Sequence, residues 1–326
     1  MSEQADRNLA LELVRVTEAA AVAAAKWQGR GDKEAVDQAA VDAMRRMLAT
    51  VDVDGIVVIG EGEKDEAPML ANGEEVGNAT GIEMDVAVDP VDGTRLTARG
   101  MPGALAVIAM SPRGTMYAPG SLVYMDKIAV GEDAAGMIDL EAPVEHNLNQ
   151  VAKAKGKGID DVTAVILNRP RNEDYIRRVR EAGARISLIG DGDISGAIST
   201  AKRDSGIDIL FGIGGSPEAV TAACAMLALR GEMQCKLWPR DSAERQFAVE
   251  NGLDLTQVLA TNDLVNSDNT FFAATGVTDG TLLEGVGFYG DAVETHSVVM
   301  RSKSGTTRFI KGVHRTDWIE PDTLPD

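Results

Sequence analysis

The sequence predicts an α/β protein built as two halves packed into one unit. Three observations carry this. After about residue 150, apolar runs of strand length alternate with amphipathic segments of helical length. Before that point, two helical segments precede a group of short apolar strands. From about Phe271 to Val313 the pattern returns to strands.

The first helix is expected over residues ~5–28, where Leu9, Leu13, Val16, Ala20 and Ala24 recur at helical spacing before Gly29-Arg-Gly31. A second is expected over ~33–50, with Val36, Ala40, Met44 and Met47 on one face. Strands follow near Ile56–Ile59, Asp85–Val88, Ala104–Met110 and Leu122–Val130. The last two read as antiparallel neighbours across Ser111-Pro-Arg-Gly114. Three strand–helix pairs come next: Val162–Leu167 with ~173–182, Arg185–Ile189 with ~194–202, and Ile207–Phe211 with ~217–229. Such alternation implies a parallel sheet with crossover helices. The expected division is 1–150, 151–319 and a mobile tail at 320–326, with a site where strand ends converge.

Composition narrows the function. The chain has 326 residues, 44% of them hydrophobic, enough for a sizeable core. A net charge of −19 argues against nucleic acid or an anionic membrane as partner. It leaves a phosphorylated substrate open, because bound cations invert the local field. Cys224 and Cys235 offer neither a disulfide framework nor a zinc motif and read as inert thiols of a reducing compartment. No basic-then-apolar leader opens the sequence, and no stretch approaches the ~20 apolar residues of a membrane span. The expected location is the cytoplasm.

Two strand-to-carboxylate junctions stand out. One is Asp85-Val-Ala-Val-Asp-Pro-Val-Asp-Gly-Thr94, a strand leading to a turn with two carboxylates, a glycine and a hydroxyl. The other is Ile56-Val-Val-Ile-Gly-Glu-Gly-Glu63, with Asp65 and Glu66 behind it. Carboxylates ~4 Å apart repel by about 4 kcal/mol at an effective dielectric near 20. A fold that gathers them needs a cation or must protonate some. Hard divalent cations take oxygen ligands, and Mg²⁺ completes its shell with substrate phosphates. Together the junctions read as a Mg²⁺- or Mn²⁺-dependent phosphatase site.

Within the first junction, Pro90 biases Asp89 toward extended backbone, and Gly93 permits a tight turn or a close phosphate approach. Asp89 and Asp92 can then face one cation; the plainer alternative is a solvated turn with a helix cap. Lys33 and Asp37, four apart on a helix, read either as an ion pair or as a phosphate contact and a ligand. Ser216 and Pro217 suit the N-cap and first position of a helix, which leaves Glu218 to compensate the helix dipole or to point elsewhere. Gly214 and Gly215 would admit a ligand close to the backbone. Arg169-Pro-Arg171 spaces two guanidiniums rigidly, which suits phosphate recognition, or forms a solvated basic turn.

These motifs together resemble the class II fructose-1,6-bisphosphatases, within the metal-dependent, lithium-sensitive sugar and inositol phosphatases. The likeness spans about residues 5–315. It rests on Trp27-Gln-Gly-Arg-Gly-Asp-Lys33, Ile59-Gly-Glu-Gly-Glu-Lys-Asp-Glu-Ala-Pro-Met69, Asp89-Pro-Val-Asp-Gly-Thr94, Tyr124-Met125, Arg169-Pro-Arg171, Asp191-Gly-Asp193 and Gly212-Ile-Gly-Gly-Ser-Pro-Glu218. The resemblance implies a layered α-β-α-β-α sandwich of the sugar phosphatase type and a homo-oligomer, tetramer or dimer. It implies metal ligation by Asp37, Glu61, Asp89, Asp92 and Glu218. Thr94, supported by Asp65, would position the attacking water, with Lys33 beside the catalytic centre. Asp92, Gly93, Thr94 and Gly215 would also meet the substrate. Tyr124, Arg169 and Arg171 would hold the distal phosphate, and Asp191 and Asp193 the sugar hydroxyls. The chain departs from some members by carrying Asp92 for Glu, Arg169 for Lys and Gly103 for a common asparagine.

The implied reaction is hydrolysis of the 1-phosphate of fructose 1,6-bisphosphate in gluconeogenesis. Sedoheptulose bisphosphate and inositol phosphates are the alternative substrates within the superfamily. A rival lies in Ile186-Ser-Leu-Ile-Gly-Asp-Gly-Asp-Ile-Ser195, which approximates the nucleophile motif of haloacid dehalogenase-type phosphatases and would make Asp191 a phosphorylated nucleophile. Asp193 as a plain helix N-cap fits that stretch better. A non-enzymatic sugar-phosphate sensor is a third reading, which Lys33, Thr94 and Glu218 oppose. No HExxH, Walker A or GxSxG motif occurs, and Gly212-x-Gly214-x-x-Pro217 breaks the dinucleotide fingerprint at its last position.

Overall fold

The computed structural model describes residues 6–60, 70–118, 120 and 122–315. It is mixed α/β and divides into two compact units. The first comprises the chain up to Met116 and from Ser267 onward; the second is Tyr117–Asn266. The pattern change read near residue 150 falls inside a helix of the second unit, Val144–Ala154. The expected tail, 320–326, lies outside the described residues.

The elements run α1 (Asp6–Ala25), α2 (Lys33–Leu48), β1 (Val53–Ile59), β2 (Glu75–Val76), β3 (Ile82–Asp92), α3 (Thr94–Ala98) and β4 (Leu105–Pro112). The second unit supplies β5 (Tyr124–Val130), α4 (Val144–Ala154), β6 (Thr163–Leu167), α5 (Glu173–Glu181), β7 (Arg185–Ile189) and α6 (Asp193–Ala201). It continues with β8 (Ile209–Gly215), α7 (Ser216–Leu229), β9 (Glu232–Leu237), α8 (Ser242–Glu250), β10 (Leu259–Ala260) and α9 (Thr261–Leu264). The first unit resumes with β11 (Phe271–Gly276), β12 (Gly287–Tyr289), β13 (Ala292–Arg301) and β14 (Thr306–Arg315).

In the first unit the strands order as β12-β13-β11-β4-β3-β1-β2, with β14 also on β13. β14 pairs with β13 along its whole length, so β11 and β12 share the other edge of β13. The helical stripe read from the sequence is the face that packs: Leu9, Leu13, Val16, Ala20 and Ala24 of α1 are buried. They join Val36, Ala40 and Met44 of α2 and Val86, Val88, Ile108 and Phe271 of the sheet in one core. A buried hydroxyl chain ties α1 to this sheet, Thr17 to Thr275 at 2.7 Å and Thr275 to Ser297 at 2.8 Å. Asp32 caps α2 by accepting from the Ala35 amide at 3.0 Å, a contact worth about 1 kcal/mol.

Two expectations need correction. β4 does not hairpin with β5; it pairs with β3 and β11, while β5 lies in the other sheet between β8 and β9. The turn at Ser111–Gly114 instead folds back on β3. There the Thr115 and Met116 amides donate to buried Asp85, at 2.8 and 3.0 Å. The second sheet, β10-β9-β5-β8-β6-β7, is mixed rather than parallel. The crossover strands pair in parallel as expected, β6 with β7 and with β8, but β5, β9 and β10 add antiparallel ladders. The crossover alternation marks only the strands joined through helices. Ile128, Ile166 and Phe211 meet α4 and α5 through Leu148, Val151, Ile176 and Val179.

Candidate active site

In the first unit the site grows from an irregularity in β3. The strand does not end before the Asp89-Pro-Val-Asp92 motif, as expected, but runs through it. Asp89 pairs with Val107 and Asp92 with Leu105, so the two residues between them on β3, Pro90 and Val91, oppose Ala106 alone on β4. Pro90 has no N–H to donate, and the ladder slips there as a bulge. The slip has a chemical result. Residues three apart on a regular strand face opposite ways. Here both carboxylates stand opposite residues two apart on β4, so they share a face.

Gly93 follows in the left-handed region at φ 106°, which a side chain would strain, and its carbonyl starts α3 by accepting from Leu96 and Thr97. Thr94, the first residue of α3, donates from its hydroxyl to Asp37 Oδ1 at 2.7 Å and also lies 3.2 Å from the Val91 carbonyl. Asp37 is brought there by the loop before α2. The Gly29 and Gly31 amides donate to the carbonyls of Thr97 and Ala98, at 2.9 and 2.8 Å. The glycine-rich segment thus clamps the start of α2 to α3. Asp89 Oδ1 accepts from the Val91 amide at 3.1 Å, which orients that carboxylate within the bulge. Lys33 is exposed and lies 3.1 Å from Glu34. Glu61 and Asp65 lie outside the described residues.

In the second unit, β5 pairs Tyr124 with Gly215 at the end of β8. The Arg171 guanidinium lies 4.3 Å above the Tyr124 ring centroid and donates from Nε to the Ile213 carbonyl at 2.9 Å. Buried Asn172 bridges the splayed ends of β6 and β8, donating to the carbonyls of Leu167 and Ile213 and accepting from the Ile213 amide at 2.7 Å. Arg169 pairs with Asp191 at 3.0 Å. Arg171 also lines a cavity of about 300 Å³ together with Arg178, Asp126 and Tyr175.

Helix α7 begins at Ser216, not one residue later, and the N-cap is Gly215; the expected Ser216 cap is absent. Strand β8 passes straight into the helix, so the Ser216 hydroxyl is buried without a hydrogen-bond partner, while its amide donates to the Val123 carbonyl at 2.8 Å. Asp193 is likewise no cap. Gly192 takes that position, and Asp193 accepts from Lys127 Nζ at 2.5 Å.

Glu218 keeps some residue exposure, but its Oε2 is buried without a hydrogen-bond partner. Burial pushes its carboxyl up to about 7; the Asp193 charge adds to the shift and Lys127 opposes it. Burial pulls the Lys127 ammonium down, but Asp193 and Glu218 outweigh it and the net shift is up.

Sequence reading missed Lys127, and it missed Arg240, whose guanidinium lies 5.9 Å from the Tyr124 ring. A lysine on an inward-facing strand position was the available signal for Lys127. Nothing distinguished Arg240 from other surface arginines.

Among the described residues no three His, Cys, Asp or Glu side chains stand close enough to enclose an ion. The donor chemistry in each unit is that of a hard divalent cation: Asp37, Asp89 and Asp92 of the first offer only oxygen, and Glu218 of the second presents a buried oxygen with no hydrogen bond.

Comparison with known proteins places this mixed α/β chain among the hydrolases of phosphoric monoesters. A family model described as bacterial fructose-1,6-bisphosphatase, glpX-encoded, matches residues 7–314. The chain is 44% identical over 326 residues to the fructose-1,6-bisphosphatase class 2 of Haemophilus influenzae, covering 96% of this chain and 97% of that one. It is 44% identical over 330 residues to the fructose-1,6-bisphosphatase 1 class 2 of Escherichia coli K12, covering 97% and 98%. The chain belongs to the class II fructose-1,6-bisphosphatase family.

Proposed function

We propose that the protein hydrolyses the 1-phosphate of fructose 1,6-bisphosphate, giving fructose 6-phosphate and inorganic phosphate, as a step of gluconeogenesis. Membership of the family over nearly the whole chain carries this reading. Asp37, Glu61, Asp89, Asp92 and Glu218 are the residues that would hold Mg²⁺ or Mn²⁺. Such cations, when bound, neutralise phosphate charge and lower the pKa of water.

The remaining work falls to the chain itself. Thr94, whose hydroxyl already bonds to Asp37, orients the attacking water, with Asp65 in support. Lys33 offers a positive charge to the reacting phosphate. Gly93 and Gly215 let backbone approach the substrate. Arg171, braced on Tyr124 and on the Ile213 carbonyl, holds the distal phosphate together with Arg169. Asp191 and Asp193 accept from sugar hydroxyls. Water attacks phosphorus in line, and the C1 oxygen leaves with the phosphoryl bond pair and takes up a proton. Positioning and charge stabilisation supply most of the acceleration.

The protein acts in the cytoplasm as a homo-oligomer. Among the described residues, no helix is long and apolar enough to cross a membrane. The outer edge of β14 has no strand partner among them, and Phe309 and Val313 are exposed there, which supports association between copies. Light scattering on the purified chain measures the oligomer.

The test is phosphate release from fructose 1,6-bisphosphate with Mg²⁺ or Mn²⁺, before and after EDTA, with Thr94→Ala in parallel. Metal-dependent release that Thr94→Ala abolishes supports the reading. No release with either metal overturns the substrate and calls for a panel of seven-carbon and inositol phosphates. Release that survives Thr94→Ala but is lost in Asp191→Asn favours a covalent route.

A further inference from the structure

Lys127 is 2% exposed, on the face of β5 opposite Tyr124 and Asp126. Its ammonium makes two contacts, to Asp193 Oδ2 at 2.5 Å and to the Gly215 carbonyl at 2.8 Å. One ammonium therefore ties β5 to the first residue of α6 and to the junction of β8 with α7.

The backbone around it leaves no slack. A Cβ on Gly214 would lie 2.9 Å from Lys127 Nζ and overlap Asp193 Oδ2; one on Gly215 would overlap Glu218 Oε2. The paired glycines are the space into which Lys127, Asp193 and Glu218 fit. A buried ion pair adds little stability over well-packed apolar residues of the same volume. Its distinctive property is that it fixes direction, because an ammonium held between a carboxylate and a carbonyl leaves neither free to turn.

We propose that Lys127 is a positioning residue of the reaction: it fixes the Asp193 carboxylate and, through the Gly215 carbonyl, the first turn of α7 that carries Glu218. It touches neither substrate nor reacting atoms. The proposal rests on the reading of Asp193 as a sugar contact and Glu218 as a metal ligand.

Four variants of the full chain test it: Lys127→Met, Gly214→Ala, Asp193→Asn, and the double Lys127→Met/Asp193→Asn. Each is measured for kcat and KM, and for the Mn²⁺ concentration that gives half of the thermal stabilisation by the metal. Gly214→Ala keeps both charges and displaces them, and the double variant removes both partners, so the test holds even if Lys127→Met does not fold.

The expected result is that Lys127→Met and Gly214→Ala each lower kcat/KM by about 10²-fold, mainly through KM. Each also raises the Mn²⁺ midpoint by about 10-fold or more, as loss of a supporting contact behind a ligand does. The double variant should be no worse than its more impaired parent, because Asp193→Asn alters a contact that Lys127→Met already removes. Unchanged KM and Mn²⁺ midpoint in Gly214→Ala, or fully additive losses in the double variant, with Asp193→Asn alone raising KM, would overturn the positioning role and leave the reading of Asp193 standing. An unchanged KM in Asp193→Asn would overturn that reading, and this proposal with it.

Discussion

The Thr94 hydroxyl donates a 2.7 Å hydrogen bond to Asp37, a residue 57 positions earlier in the chain. The contact joins the first residue of α3 to the first turns of α2 and fixes which way the hydroxyl proton points. Replacing Thr94 by alanine should lower kcat by about 10²-fold or more, the lower end of what a positioned proton-transfer group contributes. Thr94→Ser should recover part of that loss, because it keeps the donor. Steady-state phosphate release checks both, with circular dichroism confirming that each variant is folded.

Arg171 is held from two sides, by the Tyr124 ring and by the Ile213 carbonyl. Arg171→Ala should raise KM for the bisphosphate by about 10-fold, equivalent to about 1.4 kcal/mol of lost phosphate contact. Arg171→Lys should recover little, since a point charge neither stacks as a plane nor offers a fork of donors. A KM within twofold of the parent in Arg171→Ala would remove the residue from the phosphate subsite.

Much of this arrangement was legible in the sequence. The stripe Leu9, Leu13, Val16, Ala20 and Ala24 foretold the buried face of α1, because helical period and core burial are one geometric fact. The strand–helix pairs from Val162 onward appear within two residues of expectation, apart from β8, which runs on to Gly215. Partner choice between strands was not legible: β4 and β5 look like a hairpin locally, and only long-range pairing with β3, β11, β8 and β9 separates them. At the site, the motif marked Asp89 and Asp92 but not the bulge that turns them to one face. A register slip depends on the neighbouring strand as well as on Pro90. Lys127 escaped notice because its partners, Asp193 and Gly215, are 66 and 88 residues away.

His314 on β14 meets Thr295 at 2.9 Å and Glu18 at 3.6 Å. The Glu18 contact raises its pKa above the ordinary 6.5, against the opposing effect of burial. Because the folded value is raised, the stabilisation is fully present below about 6.5 and is lost as pH climbs through the higher folded value. The difference in urea midpoint between the parent and His314→Gln should therefore shrink as pH rises from about 6 to about 8. A difference that stays constant or grows would contradict the linkage.

Cys224 and Cys235 are buried, and burial pushes both thiols up, Cys235 to about 12. The thiolate is the reactive form. A thiol reagent at about pH 8 should therefore leave both unmodified in the folded protein and label both after denaturation. Rapid labelling of the native chain would contradict the burial of that cysteine.

The order of synthesis bears on the first unit's sheet. β11 lies between β4 and β13, yet residues 117–266 are made after β4 and before it. At about 5–20 residues per second, a ribosome needs roughly eight to thirty seconds to cross that interval. Throughout it, β4 offers the nascent chain an apolar strand, Leu105–Pro112, with one edge still waiting for its partner. The second unit is one unbroken stretch of chain and can be complete before β11 emerges. The part begun first at the ribosome is thus finished last, and β4 is where a chaperone or a premature encounter with another nascent copy would act.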